Sequence, residues 1–179
     1  LCVVDPGVGG SRLPVVLDCG GVSFVGPDNG LFELIRRRIP DACLASIDWR
    51  PERLSATFHG RDLFAPVAAM IARGEAVPGG PLEFNIQRPG SDWPDDLAEV
   101  IYIDAYGNLV TGIAGSALGD GCELRIGSET LAYAQTFSEV PEGALFWHRN
   151  SSGLVEIAAN QARAANRLDV KLGTVVSGV

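Results

Sequence analysis

Residues 14–38 read PVVLDCGGVSFVGPDNGLFELIRRR, and this stretch determines the expected fold of the first half of the chain. It contains two apolar β-rich runs, 14–19 and 22–25, followed by a polar turn and a helical pattern over 31–38. Three arginines lie at the end of that helix, where the helix dipole favours cations. The run 42–47 then reads as a further buried strand.

Strands and helices continue to alternate beyond this stretch. A second helical pattern covers 62–73, and Gly74 is its expected C-terminal stop. Alternation of this kind, with continuously apolar strands, predicts an α/β N-terminal domain with a largely parallel sheet and flanking helices. Because residues 1–4 already read as the inside of a strand, we expect the N-terminal part of this domain to be missing.

The pattern changes after residue 75, where prolines and glycines become frequent. Short runs bounded by glycine follow, at a length and spacing that predict an all-β C-terminal domain resembling a small barrel. A late helix is expected over 161–168. The predicted organisation is an α/β domain at 1–88, a linker at 89–97 and a β-barrel-like domain at 98–179.

Composition excludes several classes of function. The chain has 179 residues, 46% of them hydrophobic, and a formal net charge of −8 without a basic block, so a nucleic-acid partner is not expected. No apolar run approaches the ~20 residues that a membrane span requires. The four cysteines form no C-x-x-C pair, which indicates reduced thiols in a cytoplasmic protein. With two histidines, a multi-histidine metal site is excluded, and we expect no metal.

The segment DPGVGGSR, residues 5–12, directly follows the first apolar run. In open α/β sheets, ligands bind at the carboxyl ends of strands, which makes Asp5 and Arg12 candidate functional residues. The segment lacks the Gly-Lys-Ser/Thr of a phosphate loop and the third glycine of a dinucleotide fingerprint. The alternative is a structural aspartate that caps its own turn, beside a surface arginine.

Three further polar segments are ambiguous in the same way. His59 lies at the entry to the second helix, which suits a catalytic role or a hydrogen-bonded turn histidine. The segment 104–108, DAYGN, is either a hairpin turn or a site for a ligand with an ammonium group, a ring and an exocyclic amine. The polar turn NSSG at 150–153 has both interpretations as well.

Taken together, these segments resemble the S-adenosylmethionine hydroxide adenosyltransferases, relatives of the fluorinase and chlorinase enzymes. The matching stretches occur in family order across nearly the whole chain: VVDPGVG at 3–9 with Arg12, VGPDNG at 25–30, TFHGRD at 57–62 with Pro66, DAYGN at 104–108 and NSSGLVEIA at 150–158. Each motif alone is modest, but five in order are specific.

The resemblance implies an N-terminal α/β domain and a C-terminal β-barrel, assembled as a homotrimer with sites between subunits. It implies that water or hydroxide attacks the ribose C5′ of S-adenosylmethionine, which is the substrate, and that no cofactor is needed. Asp5, Arg12 and His59 fall on the family's water-handling triad. The sulfonium leaves as a neutral thioether, so orienting one water is expected to be the main task of the triad.

The resemblance also implies the substrate contacts. Asp104 matches the residue that holds the methionine ammonium, and Ser151 falls near the methionine carboxylate. Asn108 matches an adenine contact, with Tyr106 packing beside the ring and Phe137 covering the other face.

Two alternative functions follow from the same motifs. One is a halide-using adenosyltransferase, which Asp5 disfavours because a carboxylate repels a bound halide. The other is a module that binds adenosine or S-adenosylmethionine without catalysis. The second alternative arises because the family's N-terminal segment, which supplies an acid to the ribose hydroxyls, is not present in this sequence.

Overall fold

Gly20 and Gly21 set the direction of the first two strands in the computed structural model of the chain. Both glycines have positive φ angles, 61° and 102°, and a two-residue turn of this kind joins neighbouring antiparallel strands. Strand β1 (Pro14–Cys19) therefore pairs antiparallel with strand β2 (Val22–Pro27) along its whole length.

The structure describes residues 1–83 and 88–178, and the chain divides into two compact units, Leu1–Trp93 and Pro94–Val179. Residues 84–87 and Val179, which belong to the predicted domains, lie outside the described residues. The domain limits 1–88, 89–97 and 98–179 stay a prediction.

The first unit is built on a single antiparallel sheet in the order β2-β1-β3-β4. The predicted helix over 62–73 begins as a π-helical turn and continues as an α-helix with proline in its first turn. After β2 the elements are α1 (Glu33–Arg38), β3 (Cys43–Ser46), the π-helical turn (Gly60–Phe64), α2 (Ala65–Ala72) and β4 (Pro81–Leu82).

The predicted parallel sheet is wrong, because every neighbouring strand pair described in the first unit is antiparallel. The strand–helix–strand pattern itself is present, since α1 connects β2 to β3. These two strands run in the same direction, but they flank β1 on its two sides and are not hydrogen-bonded to each other. The run 1–4 is not a strand either; Cys2 N donates one backbone hydrogen bond to Val25 O, at 3.1 Å.

Burial on both faces explains why these strands look parallel in sequence. Val15 and Leu17 pack with Phe32 on the α1 side of the sheet, whereas Val16 packs toward a second cluster that contains Val67 of α2. A strand covered on both faces is continuously apolar whichever way its neighbours run. Its composition therefore reports the covering layers and leaves the strand direction undetermined.

The second unit contains two antiparallel sheets, in the orders β5-β6-β10-β9 and β11-β7-β8. Its core is formed around the fully buried Trp147, whose indole Nε1 donates to Cys122 O at 3.0 Å. The elements are β5 (Leu97–Ile103), β6 (Leu109–Ala114), a 3₁₀ turn (Gly115–Ala117), β7 (Leu124–Ile126), β8 (Glu129–Leu131), a 3₁₀ turn (Phe137–Glu139), β9 (Leu145–Arg149), β10 (Leu154–Ala159), α3 (Ala164–Leu168) and β11 (Val176–Gly178).

The prediction of a barrel in the second half is also wrong, because the strands described in 94–178 do not close into a barrel. Short runs with frequent glycines predict antiparallel strands, but closure depends on continuous ladders between the first and last strands. Here the sheets are connected by single bridges, Glu99 to Val175 and Tyr133 to Trp147. The late helix starts at Ala164, three residues after the predicted start, because Gln161 has a left-handed φ of 54°.

Across residues 1–83 and 88–178, none of the helices has both the length and the apolar character needed to cross a membrane.

Candidate active site

Asp5, Arg12 and His59 lie together in the first unit, with the arginine between the other two. Arg12 Nε donates to Asp5 Oδ1 at 2.9 Å, and Arg12 Nη2 donates to Asp5 Oδ2, so the carboxylate is held by both of its oxygens. The same Nη2 lies 2.9 Å from His59 Nδ1. The Asp5 and Arg12 side chains are only 3% and 10% exposed, so this ion pair is largely removed from bulk solvent.

The Arg12 contact fixes the proton of His59. A guanidinium has donors and no acceptor, so His59 Nδ1 accepts and the ring proton lies on Nε2. Burial lowers the pKa of His59 below its ordinary 6.5, the Arg12 cation lowers it further, and Asp5 opposes the shift. His59 is therefore a neutral imidazole that offers an N–H donor at Nε2.

Gly9 lets the Asp5 loop approach the chain that leads to His59. Its φ is 77°, and a Cβ at this position would lie 2.7 Å from the carbonyl oxygen of Ala56. The loop itself is closed by the Val8 N–H, which donates to Asp5 O at 3.2 Å. A residue with a side chain at position 9 would separate the two segments that carry the triad.

The segment 25–30 supports Asp5 from the other side. Asn29 Nδ2 donates to Val4 O at 2.8 Å, immediately before Asp5. A Cβ on Gly26 would lie 2.3 Å from Cys2 O, so this glycine allows the N-terminal segment to run directly against β2. The motifs at 25–30 and 3–9 are therefore in direct contact in the structure.

Asp62 holds the loop that precedes His59. Its Oδ2 accepts from the Ser55 N–H at 3.0 Å, and Arg61 donates to both carboxylate oxygens. These bonds, the Arg61 bond first, lower the pKa of Asp62 to about 2. The carboxylate is therefore charged at neutral pH and closes the segment 55–62.

A cavity of about 660 Å³ lies in the second unit, within the size range of small-molecule sites. Four of the five residues expected to contact substrate line it, and Ser151 is the exception. The lining residues are Asp104, Ala105, Tyr106, Asn108, Phe137, Ala159, Gln161, Ala162 and Arg163.

The segment 104–108 forms a closed loop between β5 and β6. Asp104 Oδ1 accepts from the Asn108 backbone N–H at 2.8 Å, and Oδ2 accepts from Asn108 Nδ2 at 3.2 Å. The Asp104 N–H returns a bond to Asn108 O at 3.1 Å. The loop has hairpin geometry and also faces the cavity, so the two interpretations of this segment are compatible.

Two aromatic side chains that line the cavity differ in exposure and in their packing against neighbouring residues. Tyr106 is 77% exposed, whereas Phe137 is 39% exposed and contacts Phe146 edge-to-face at 5.1 Å between ring centroids. Phe137 also lies 5.7 Å from the ring of His148. Phe137 is therefore a fixed wall of the cavity, and Tyr106 is the more accessible ring.

Ser151 lies in the exposed turn between β9 and β10 and does not line the cavity. The turn is held by Asn150 Oδ1, which accepts from the N–H groups of Ser152 and Leu154, both at 3.0 Å. The structure thus places Ser151 apart from the four other predicted substrate contacts.

Sequence reasoning missed Gln161 and Arg163 as cavity residues, because it placed both in the first turn of a helix over 161–168. The structure places them in the turn before α3, where Arg163 Nη1 donates to Ala105 O at 2.7 Å. Residues 158–166 read AANQARAAN, in which a glutamine and an arginine interrupt alanine and asparagine, and this pattern was the available signal. In the described parts of the chain, no cluster of His, Cys, Asp or Glu could hold a metal ion.

Two family models match the chain, one in each half. Residues 1–79 match the SAM hydroxide adenosyltransferase N-terminal domain, and residues 98–177 match the C-terminal domain of the same name.

Named relatives cover almost the whole chain. It is 38% identical over 186 residues to an (R)-S-adenosyl-L-methionine hydrolase of Salinispora arenicola, a match that covers 97% of this chain and 71% of that protein. A protein of the same name from Thermus thermophilus is 38% identical, with 98% of this chain and 73% of the relative covered.

Solved structures agree with this relationship. The crystal structure of an uncharacterized conserved protein from Thermotoga maritima superposes with a TM-score of 0.82 at 31% identity, covering 98% of this chain and 74% of that chain. The crystal structure of a conserved hypothetical protein from Thermus thermophilus gives a TM-score of 0.69 at 32% identity, covering 98% and 72%.

Proposed function

Because this chain belongs to the SAM hydroxide adenosyltransferase family, we propose that it is an enzyme that hydrolyses S-adenosyl-L-methionine. The water oxygen forms a bond to the ribose C5′ while the C5′–S bond breaks. The electron pair of that bond goes to sulfur, and the water loses one proton. The products are adenosine, methionine and H⁺.

The single observation that carries the choice of water as nucleophile is the Arg12 bridge between Asp5 and His59. Water needs one acceptor for its proton and one donor to fix a lone pair. The Asp5 carboxylate has lone pairs beyond the two that Arg12 occupies, and His59 Nε2–H is the donor left by the Arg12 contact. A water bound between them keeps its second lone pair for C5′.

The chemistry of the leaving group decides whether proton acceptance or orientation of the water contributes more to the rate. Methionine leaves as a neutral thioether, so the reaction needs no general acid. Proton acceptance by Asp5 is worth about 10²–10⁴ in rate, whereas fixing the nucleophile can supply about 7–11 kcal/mol. Orientation of the water by Asp5 and His59 is therefore the larger contribution, and the buried Arg12 keeps both partners in place.

A halide-using reaction is disfavoured by the same three residues. The buried Asp5 carboxylate would repel a halide, and a neutral His59 adds no positive charge to offset it. The only full positive charge of the triad, Arg12, is already committed to the carboxylate.

The cavity of the second unit supports the proposed substrate contacts. Asp104 would bind the methionine ammonium, and Asn108 would contact adenine between the rings of Tyr106 and Phe137. All four line the same cavity. Ser151, assigned to the methionine carboxylate by family resemblance, lies outside that lining.

The same resemblance underlies our proposals on assembly and location. We propose a cytoplasmic homotrimer with sites between subunits, which uses no cofactor and binds no nucleic acid. Four free cysteines are compatible with a reducing compartment, and the net charge of −8 disfavours phosphate backbones.

The test is release of adenosine from S-adenosylmethionine, followed by chromatography, in the variants Asp5→Asn, Arg12→Met and His59→Ala. Arg73→Met is the matched control, because it removes an exposed guanidinium that pairs with Glu75. We expect each triad variant to lose at least about 10²-fold in kcat/KM and the control to retain full activity.

Three outcomes would contradict the proposal. Near-normal turnover in all three triad variants would remove their assigned role. Chlorinated adenosine formed in chloride buffer would identify a halide user. Calorimetric binding of S-adenosylmethionine by the wild-type chain without product would identify a binding module.

A further inference from the structure

Arg163 lines the cavity of the second unit and bonds to the loop 104–108. It lies in the turn before α3 and its Nη1 donates to Ala105 O at 2.7 Å, across 58 residues of sequence. Two residues later, the Ala165 N–H donates to Gly107 O at 2.9 Å. Two carbonyls of the loop 104–108 are thus bonded to consecutive parts of one segment.

Gly107 shows that this contact is close along the arginine side chain. Its φ is 84°, and a Cβ there would lie 2.8 Å from Arg163 Cβ and 3.1 Å from Arg163 Nε. The aliphatic part of the arginine therefore packs directly on the loop backbone, while the guanidinium bonds to the carbonyl. Packing and hydrogen bonding restrict the same loop from the same side.

We propose that Arg163 is a positioning residue that sets the conformation of the loop 104–108 and thereby the affinity for the nucleoside part of the substrate. The inference rests on the proposed function, because that function assigns the loop residues Tyr106 and Asn108 to adenine. Neither family resemblance nor sequence pattern gave Arg163 a role.

The loop has little other support on its cavity side. Tyr106 is 77% exposed and cannot anchor the loop by burial. The bonds between Asp104 and Asn108 hold the loop to itself. They leave its position relative to the other lining residues Ala159, Gln161 and Ala162 to be set by other contacts. Two bonds supply that connection, the backbone bond from the Ala165 N–H to Gly107 O and the side-chain bond from Arg163 to Ala105 O. Loss of the Arg163 bond should therefore weaken binding without changing the chemistry at C5′.

The test compares Arg163→Met, which keeps the aliphatic stem and removes the donors, with Arg163→Lys, which keeps one cationic donor. Arg167→Met is the matched control, since Arg167 lies on the adjoining helix α3 and is not a cavity-lining residue in the described structure. KM and kcat for S-adenosylmethionine are measured together with hydrogen–deuterium exchange of the backbone over 105–108.

We expect Arg163→Met to raise KM about fivefold with kcat within about twofold of wild type, and to accelerate exchange in 105–108 alone. Arg163→Lys should restore more than half of the protection, and Arg167→Met should match wild type. Unchanged exchange in Arg163→Met would overturn the proposal, and so would equal acceleration throughout the second unit or an equal fall in kcat. If the wild-type chain fails to hydrolyse the substrate, the proposed function fails, while the exchange comparison still decides whether Arg163 positions the loop.

Discussion

Replacing Gly9 with alanine tests whether close approach of two loops assembles the triad. Gly9 has a φ of 77°, and its new Cβ would lie 2.7 Å from Ala56 O, about 0.7 Å inside ordinary contact at 3.4 Å. Backbone oxygen cannot turn away like a flexible side chain. The segment carrying Asp5 and Arg12 must therefore move away from the segment carrying His59.

Gly74 provides a control for the backbone strain alone. Its φ is 73°, nearly the same, but an added Cβ would meet nothing within 4 Å. Gly74→Ala should therefore cost about 1–2 kcal/mol of unfolding free energy from the left-handed conformation. Gly9→Ala carries the same strain plus the clash, and we expect a total of about 2–4 kcal/mol.

The activity should separate the two variants more clearly than the stability. A displacement of the order of 1 Å in a catalytic group can cost about 10²-fold in rate. Arg12 Nη2 and His59 Nδ1 are 2.9 Å apart, so a shift of about 0.7 Å breaks their hydrogen bond. We expect Gly9→Ala to lose about 30–100-fold in kcat/KM and Gly74→Ala to stay within about twofold of wild type.

The assay is adenosine release at a temperature where urea titration shows both variants to be fully folded. Equal activity of Gly9→Ala and Gly74→Ala would refute the reasoning, because the clash with Ala56 would then have no effect on the triad. A loss of activity in both would mean that left-handed strain alone disturbs the first unit.

Three further predictions follow from single groups. In the proposed mechanism His59 acts as a neutral donor, and its pKa lies below 6.5. We therefore expect kcat/KM to stay level as the pH falls through 6.5 and to decline only at lower pH; a decline centred at or above 6.5 would contradict this. The pKa of Asp62 is lowered from its ordinary 3.8 to about 2. The charged Asp62 therefore stabilises the fold fully at pH values above 3.8, and this stabilisation is lost as the pH falls through 2. The Tm gap between wild type and Asp62→Asn should therefore close between pH 4 and pH 2, and a constant gap would exclude the charge as its cause. Trp147→Ala should lower the unfolding free energy by about 3–5 kcal/mol. The control Tyr102→Ala changes an exposed residue and should lower it by less than about 0.5 kcal/mol. Equal losses in urea titration would show that Trp147 is not central to the core.

The sequence was informative about loops and poor on strand direction. The motif at 5–12 and the histidine at 59 identify a cluster that the structure brings within hydrogen-bond distance. The periodicity of the sequence does not predict the contact between Arg12 and His59, because 47 positions separate them. The family resemblance indicated that the two residues belong to one site. The prediction of strand direction was wrong because it rested on the alternation of strands and helices. Two consecutive glycines between apolar runs, here Gly20 and Gly21, are typical of a hairpin.

Arg163 shows a second limit of sequence reasoning. The stretch 161–168, QARAANRL, is rich in helix-forming residues, so composition places Arg163 within a helix. The helix begins later because Gln161 adopts a left-handed conformation, and the Ala165 N–H bonds to Gly107 in another part of the chain. A helix boundary set by a distant loop cannot be read from local propensity.

The Arg12 guanidinium contacts both Asp5 and His59, so a substitution at one of these positions affects the others. Removing Asp5 alone leaves a buried cation without its counter-ion, and removing Arg12 alone leaves a buried anion, and each is far costlier than losing the pair. His59 in turn owes its tautomer to Arg12. A descendant that accepts a different nucleophile would have to exchange positions 5 and 12 almost together, since an intermediate that lacks one partner of the buried pair is less stable than either end point.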